Sequence, residues 1–223
     1  MLALPSTSET AAMTPRALFS PVLLVLLFAG FAACAQPDAP DAPAAPEAAD
    51  APDVPAPTTA IAGLAVPPRA AGEARPSPNA AVSQTIGTTQ VYISYGRPGV
   101  KGRQVFGDLE AYGQVWRAGA NEATVISFSD DVTVEGQPLD AGAYALFAIP
   151  GEDEWTLIFN RQAEQWGAFD HDPAQDALRV TVTPQEGAAQ EWLSYAFEDL
   201  TDTSATAVLH WSTTRVPFTI ATQ

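Results

Sequence analysis

Residues 97–122 hold the side chains best suited to binding a ligand. The candidate binding residues are Arg97, Lys101, Arg103, Arg117, Asn121 and Glu122. Their four cations are more than half of the seven Lys and Arg residues that follow position 80. A guanidinium group offers forked N–H donors to an anion, and the asparagine and glutamate would complete the polar edge of a recess. The stretch therefore predicts a site for a small anionic or sugar ligand, with no bound cofactor.

The same charges also fit an internal ionic network. Arg117 follows Trp116, so aromatic surface is expected to cover its stem, and a covered guanidinium group needs a charged partner. In this interpretation Arg117 or Arg103 pairs with Asp108 or Glu122, and the pairs hold a long irregular loop in place. The two interpretations differ in whether the cations line an open recess or are sealed inside the domain.

The sequence contains no established motif for acyl transfer, phosphate binding or metal binding. It lacks a G-x-S-x-G nucleophile elbow, a phosphate-binding loop and the H-x-H and H-E-x-x-H patterns of metal sites. His171 lies between Asp170 and Asp172 in a polar loop before a proline, which is typical of a turn. His210 falls on a partly solvated face of a predicted strand. We therefore predict no metal site.

A pair of carboxylates, as in glycosidases, is the remaining catalytic arrangement. The residues that could contribute to such a pair are Glu110, Glu122, Glu154 and Glu191. A catalytic carboxyl group would have a raised pKa and lie in a cleft. The alternative to a binding or structural module is therefore an envelope hydrolase, directed at glycans, that uses carboxylates near the cation-rich stretch.

Short apolar runs with alternating side chains predict that the domain after position 80 is built from strands. Val91, Ile93 and Tyr95 recur at every second position, the period of a strand. The segment Ala143–Ile149 is apolar on both faces, which predicts a central strand. No stretch keeps a helical period for three turns, so the long crossovers that parallel strands require are missing. We predict an all-β domain over residues 80–223, an antiparallel β-sandwich or jelly-roll-like barrel of about eight or nine strands.

Residues 1–34 have the features of a lipoprotein signal peptide. Arg16 precedes an apolar run that ends in the sequence FAAC, so that Cys34 would become the lipidated first residue. Met13 is an alternative start, because the residues before it add only a polar prefix. Ordinary cleavage after Ala35 and an uncleaved anchor helix are the other two interpretations. The lipid and the anchor helix would each attach the protein to a membrane of the cell envelope.

Residues 35–79 are rich in Ala, Pro and Asp and nearly devoid of large apolar side chains. Such a segment cannot bury enough apolar area to offset the entropy lost on ordering, which predicts a disordered linker. The net charge of −16 argues against a nucleic-acid partner, since phosphate binding needs a basic surface. We therefore expect an exported, membrane-tethered module that faces the periplasm or the cell exterior.

Four runs of the domain resemble one bacterial family. They are YGRPGVKGRQVFGDLEAYGQVWRAGANEAT, AGAYALFAIPGEDEWTLIFN, WGAF and ALRVTV. Over about Thr85 to Phe218 they closely resemble the domain-of-unknown-function family 2911. The resemblance implies export and, for many members, lipidation. The family pattern usually has Ser where this chain has Gly96 and Gly99, and often Tyr where it has Phe169, so no hydroxyl role is expected at these positions. The family carries no assigned activity.

Overall fold

The structure is a computed structural model that describes residues 74–223 and the backbone of two short strands before them. These strands, β1 (Ala60–Ile61) and β2 (Leu64–Ala65), pair antiparallel within the segment predicted as a linker. The predicted signal peptide, Cys34 and, within the predicted linker, residues 35–59, 62–63 and 66–73 lie outside the described residues. Within the described part of the chain, no helix is long and apolar enough to cross a membrane.

Two antiparallel sheets form the domain, and every strand pair in them is antiparallel. The strands are β3 (Asn79–Ile86), β4 (Thr89–Gly96), β5 (Thr124–Phe128), β6 (Val132–Val134), β7 (Gln137–Leu139), β8 (Gly142–Ile149), β9 (Trp155–Asn160), β10 (Asp176–Val182), β11 (Gln185–Glu198) and β12 (Ser204–Thr222). One sheet has the order β10-β9-β8-β5-β4-β3, and the other has the order β11-β12-β6-β7. The predicted all-β antiparallel class is confirmed. The sheets stay separate, so the domain is a sandwich and not a closed barrel.

Aromatic rings fill the main core. Trp116 stacks on Trp211 with ring centres 5.9 Å apart, and Phe106 meets Trp155 edge-on at 4.7 Å. Aromatic side chains bury large apolar areas, and edge-on or offset pairs add to that stabilisation. Three tryptophans, Trp116, Trp155 and Trp211, are therefore core residues. The other two, Trp166 and Trp192, are exposed by 56% and 37%.

A second, smaller apolar cluster makes the middle of the six-stranded sheet buried on both faces. It consists of Ala123, Ala145, Phe147 and Ile158, with Val115, Ile149 and Ala168 packed against it. All five residues of β5, an interior strand of this sheet, are buried. The interior position predicted for Ala143–Ile149 is confirmed, because β8 lies between β5 and β9.

The strand count is higher than the eight or nine that the sequence predicted. Residues 204–222 form a single strand where apolar runs around Leu209 and Phe218 suggested two. Ser212, in a left-handed conformation with φ of 57°, lies where the register with β11 shifts, so the chain bulges without turning. Earlier in the chain, Glu135 and Gly136 form a two-residue turn between β6 and β7 with positive φ at both positions. The described part of the domain therefore has ten strands, β3 to β12.

Candidate functional site in the loop between β4 and β5

The cation-rich stretch forms a long connection, residues 97–123, that we call the cation loop. It joins two neighbouring strands of the six-stranded sheet, but its first part pairs with β11 of the other sheet. Val100 donates its N–H to the carbonyl of Glu191 at 2.8 Å, and Leu193 donates to the carbonyl of Pro98 at 3.0 Å. The loop therefore connects the six-stranded sheet to β11, an edge strand of the other sheet.

Two of the candidate arginines hold this first part together. Arg97 donates from Nε to the carbonyl of Leu193 at 2.9 Å. Arg103 donates from Nε to the carbonyl of Val100 at 3.0 Å and from Nη2 to that of Gly99 at 2.6 Å. The donors of Arg103 satisfy backbone carbonyls of the irregular loop itself, and the donor of Arg97 satisfies a carbonyl of β11. Both guanidinium groups thus have a structural contact, whatever else they bind.

Lys101 lies at the exposed tip of the loop. Its backbone has a left-handed conformation with φ of 50°, and its N–H donates to the carboxylate of Glu191 at 2.9 Å. Among the residues that the structure describes, no hydrogen bond or ion pair involves its ammonium group. A solvated ammonium group of this kind adds positive charge to the loop surface without being fixed in position.

The end of the loop is tied to residues that precede β3. Asn121 donates from Nδ2 to the backbone carbonyl of Ser77 at 3.0 Å. The backbone carbonyl of Asn121 accepts the N–H of Gly167 at 3.1 Å. Both carboxylate oxygens of Glu122 accept from Arg75 Nη1, at 2.9 and 3.0 Å. Glu122 therefore pairs with Arg75, and not with Arg103 or Arg117 as the internal-network interpretation predicted. The ordered contacts of the domain also reach back to Arg75, within the segment assigned to the linker.

Arg117 lies where the loop rejoins the six-stranded sheet. The neighbouring Trp116 exchanges two backbone hydrogen bonds of 2.8 Å with Ala148, and Arg117 accepts the N–H of Thr124 at 3.2 Å. Its backbone is thus fixed on both sides. Its Nε, however, is fully buried and has no hydrogen-bond partner. Within the described residues neither Arg103 nor Arg117 forms an ion pair, so the pairing with Asp108 or Glu122 predicted for them is wrong.

Glu110 is the carboxyl group associated with these arginines. Burial raises the pKa of Glu110 from 4.5 to about 7, against the opposing effect of the positive charges on Arg117 and Arg103. Its backbone is held in a tight turn of the loop by a bond to the carbonyl of Val105 at 2.9 Å. We call Glu110, Arg103 and Arg117 the Glu110 cluster. The sequence marks Glu110 only as one of four carboxylates, because burial and not spacing distinguishes it.

The other three carboxylates of the hydrolase hypothesis do not join this cluster by any contact among the described residues. Glu122 is paired with Arg75, Glu191 accepts the N–H of Lys101, and the exposed Glu154 lines a separate open cavity of about 480 Å³. A two-carboxylate mechanism needs its carboxyl groups within about 10 Å of each other. The contacts therefore single out Glu110 without supplying a catalytic partner.

Neither histidine belongs to the cation loop. His171 has a side chain only 7% exposed, lies edge-on to Phe147 and contacts Asp176 through Nε2 at 3.0 Å. Burial opposes ionisation of Asp176, but hydrogen bonds from Asn160, Arg179 and His171 outweigh it and lower the pKa of Asp176. His210 contacts the carbonyl of Ala188 at 3.0 Å. Over residues 74–223, no three His, Cys, Asp or Glu side chains are grouped as a metal site requires.

Fold and loop together define a class of protein, an antiparallel β-sandwich whose two sheets are bridged by one long cation-bearing loop. The chain belongs to the family described as "Protein of unknown function (DUF2911)", which matches residues 77–220. The resemblance found in the sequence is thereby confirmed. A search of curated proteins found no match. A search of solved structures found none either.

Proposed function

We propose that the domain is an extracytoplasmic binding module, tethered to a membrane of the cell envelope, that takes a small anionic ligand at the Glu110 cluster. The observation that carries this proposal is the buried Nε of Arg117, which has no hydrogen-bond acceptor. An unsatisfied buried donor costs about 1–3 kcal/mol, and more when the group is charged. A carboxylate or phosphate oxygen of a ligand would supply the missing acceptor.

The charge balance of the cluster supports an anion. With Glu110 protonated, the cluster carries the two positive charges of Arg103 and Arg117. With Glu110 ionised, the negative charge of its carboxylate competes with the ligand. The pKa of about 7 for Glu110 means that both forms are populated near neutral pH. An anion that binds beside Glu110 therefore favours uptake of a proton, and its affinity should fall as the pH rises through 7.

The binding proposal is tested by titrating the full-length chain with inorganic phosphate, acetate and citrate at pH 6, using calorimetry and thermal shift. At least one anion should bind and raise the melting temperature, because a ligand stabilises the state that binds it. Arg117→Gln should abolish this response. The matched control is Arg161→Gln, which removes an exposed arginine of the β9–β10 loop. Equal responses from wild type and Arg117→Gln would reject the proposal, as would the absence of any response.

The alternative, an envelope hydrolase, is favoured by one observation, the raised pKa of Glu110. A carboxyl group that titrates near the working pH is suited to general acid or base catalysis. Arg117 would then stabilise negative charge that develops on the substrate. In this case Glu110→Gln should abolish turnover of glycan or ester substrates. In a binding module the same variant should retain or strengthen anion binding, and neither protein should turn over any substrate.

A further inference from the structure

The sandwich has a recess whose lining residues include none of the three residues of the Glu110 cluster. It has a volume of about 240 Å³ and lies between the cation loop, the β8–β9 turn, the start of β11 and the middle of β12. Its lining includes Phe106, Tyr112, Trp155, Glu152 and Glu186. Pockets for drug-sized ligands are about 300–1,000 Å³, so this recess suits a smaller molecule. We call it the aromatic recess.

The aromatic side chains of the recess are held in place by packing against their neighbours. Phe106 and Trp155 are core residues in edge-on contact at 4.7 Å, whereas Tyr112 is 41% exposed. The ring of Tyr112 lies against Gly107, where an added Cβ would come within 2.9 Å of a ring carbon. Gly107 also has a φ of +86°, a conformation that favours glycine. Tyr112 therefore lines the recess with its ring packed against Gly107, where a residue with a Cβ would clash with the ring.

The adjoining turn fixes the loop in the same place. Gly113 donates its N–H to the carbonyl of Pro150 at 2.8 Å, so the segment that carries Tyr112 is tied to the β8–β9 turn that carries Glu152. A site built from a core tryptophan, a packed tyrosine and a bonded turn is formed before any ligand arrives. Preformed sites bind small ligands with less loss of conformational entropy.

The charge of the aromatic recess is negative and uncompensated. Glu152 and Glu186 line it, and no Lys, Arg or His does. Neither glutamate forms an ion pair with any residue in the described part of the chain. The nearby Arg215, which follows the lining residue Thr214, forms an ion pair with Glu198 at 2.6 Å. With a net charge of −16 on the whole chain, this recess disfavours anions and attracts cations.

We propose that the aromatic recess binds a small organic cation, an ammonium group with apolar substituents, between the ring of Tyr112 and the carboxylates of Glu152 and Glu186. An aromatic face carries negative potential and attracts a cation, most strongly where water is partly excluded. The carboxylates supply charge, and the rings accept the apolar substituents. A metal ion would gain nothing from the rings, and an anion would be repelled. The aromatic recess shares no lining residue with the Glu110 cluster, and its ligand has the opposite charge.

The test compares two probes of the same shape, choline and its uncharged analogue 3,3-dimethylbutan-1-ol. Each is titrated into the full-length chain at low salt, by calorimetry and by tryptophan fluorescence, since Trp155 lines the recess. Choline should bind, and the uncharged analogue should bind at least tenfold more weakly. Equal affinity for the two probes would overturn the proposal. So would the absence of choline binding at millimolar concentration, with tetramethylammonium and benzylamine also failing to bind.

Substitutions of the lining residues test whether choline binds in the aromatic recess. Tyr112→Leu and the double variant Glu152→Gln with Glu186→Gln should each weaken choline binding about fivefold or more. Tyr112→Phe keeps the aromatic face and should bind choline as the wild type does. The matched charge control is Glu164→Gln, an exposed glutamate outside the recess. If Tyr112→Leu fails to fold, the double glutamine variant and Tyr112→Phe still test the site. Wild-type affinity in the double variant would reject it, and phosphate titration of the same variant reports separately on the Glu110 cluster.

Discussion

At the scale of single residues, two arginines of one loop have opposite environments. Arg103 is exposed, yet two of its nitrogens donate to carbonyls of its own loop. Arg117 is better covered, yet its Nε has no acceptor. A scaffold residue is expected to have its polar atoms satisfied, and a binding residue is expected to be satisfied only in the complex. The contrast distinguishes Arg103, whose donors are engaged by its own loop, from Arg117, on which the proposed binding site depends.

Arg117→Met should leave the free energy of unfolding unchanged or raise it by about 1 kcal/mol. Methionine keeps most of the apolar stem and removes a buried charged donor that lacks a partner. Denaturant unfolding measures the change. Arg103→Met is the comparison, and it should lower the free energy by about 1 kcal/mol because two hydrogen bonds are lost. A loss of about 3 kcal/mol or more in Arg117→Met would mean that Arg117 is paired after all.

Glu110 should make stability fall with rising pH in a defined window. Its folded pKa of about 7 lies above the ordinary value of 4.5, so the folded state holds the proton more tightly than the unfolded state. The resulting stabilisation is fully present below pH 4.5 and is lost as the pH rises through 7. Allowing for the partial exposure of the group, we expect a loss of up to about 2 kcal/mol between pH 5 and 8.

The variant Glu110→Gln isolates this effect. Glutamine cannot ionise, so its unfolding free energy, measured by denaturant melts at several pH values, should change less across that window. Parallel pH profiles for wild type and Glu110→Gln would contradict the assignment. Asp176, whose pKa is lowered, acts only at lower pH and does not interfere.

At the scale of elements, the outer face of the six-stranded sheet is held by the loop between β9 and β10. Asp176, the first residue of β10, ties the two strands to this loop: it accepts from Asn160 of β9 at 2.8 Å and from Arg179 Nε of β10 at 2.8 Å, and it contacts His171 of the loop at 3.0 Å. Its side chain is only 6% exposed. A carboxylate with three charged or polar donors anchors the loop that carries the exposed Trp166.

Asp176→Ala should lower the free energy of unfolding by about 3 kcal/mol at pH 7, since it leaves the buried His171 side chain without its carboxylate partner and removes one of the two acceptors of Asn160 Nδ2. The pKa of Asp176 is depressed in the folded state, so its stabilisation is present above the ordinary value of 3.8 and is lost as the pH falls below it. Denaturant melts at pH 7 and pH 3 measure both effects. The control Asp170→Ala, at an exposed neighbour, should stay within about 0.5 kcal/mol. A similarly small effect for Asp176→Ala would contradict the anchoring role.

Gly96, the last residue of β4, and Gly99 in the cation loop should respond differently to alanine. An added Cβ at Gly96 would lie 2.2 Å from the backbone carbonyl oxygen of Ala120, which cannot move without shifting the end of the loop. At Gly99 the nearest atom, at 2.9 Å, is the carboxylate end of the Glu191 side chain, which can rotate away. We expect Gly96→Ala to cost about 2 kcal/mol or more and Gly99→Ala about 1 kcal/mol or less, as measured by thermal and denaturant unfolding. Equal costs would mean that the approach of Gly96 to Ala120 is not constrained.

At the scale of the whole molecule, the binding module we propose depends on its tether. The run ending in FAAC predicts that Cys34 carries the lipid. Labelled palmitate should enter the wild-type protein in a bacterial host and should not enter Cys34→Ser, whose precursor should accumulate. Label retained in Cys34→Ser, or a mature chain that begins at Gln36, would contradict the lipoprotein assignment. Mass spectrometry of the mature amino terminus distinguishes the two results.

Local sequence determined the fold class and the position of the candidate loop. A strand leaves a period of two in apolar residues such as Val91, Ile93 and Tyr95, and the doubly apolar Ala143–Ile149 marked an interior strand. These patterns are readable because each depends on residues within a few positions of one another. Glycines and cations crowded between two strands likewise marked an irregular, polar connection before its path was known.

Only the tertiary structure decided which of these charges are engaged. Glu122 meets Arg75, 47 residues away, and Arg97 meets Leu193, 96 residues away. Contacts of this range depend on how two sheets and their loops pack, and no short sequence period encodes that packing. For this reason the sequence indicated which stretch carries the candidate residues. The packing then distinguished the buried Arg117 Nε and Glu110 from Arg97 and Arg103, whose hydrogen bonds hold the loop.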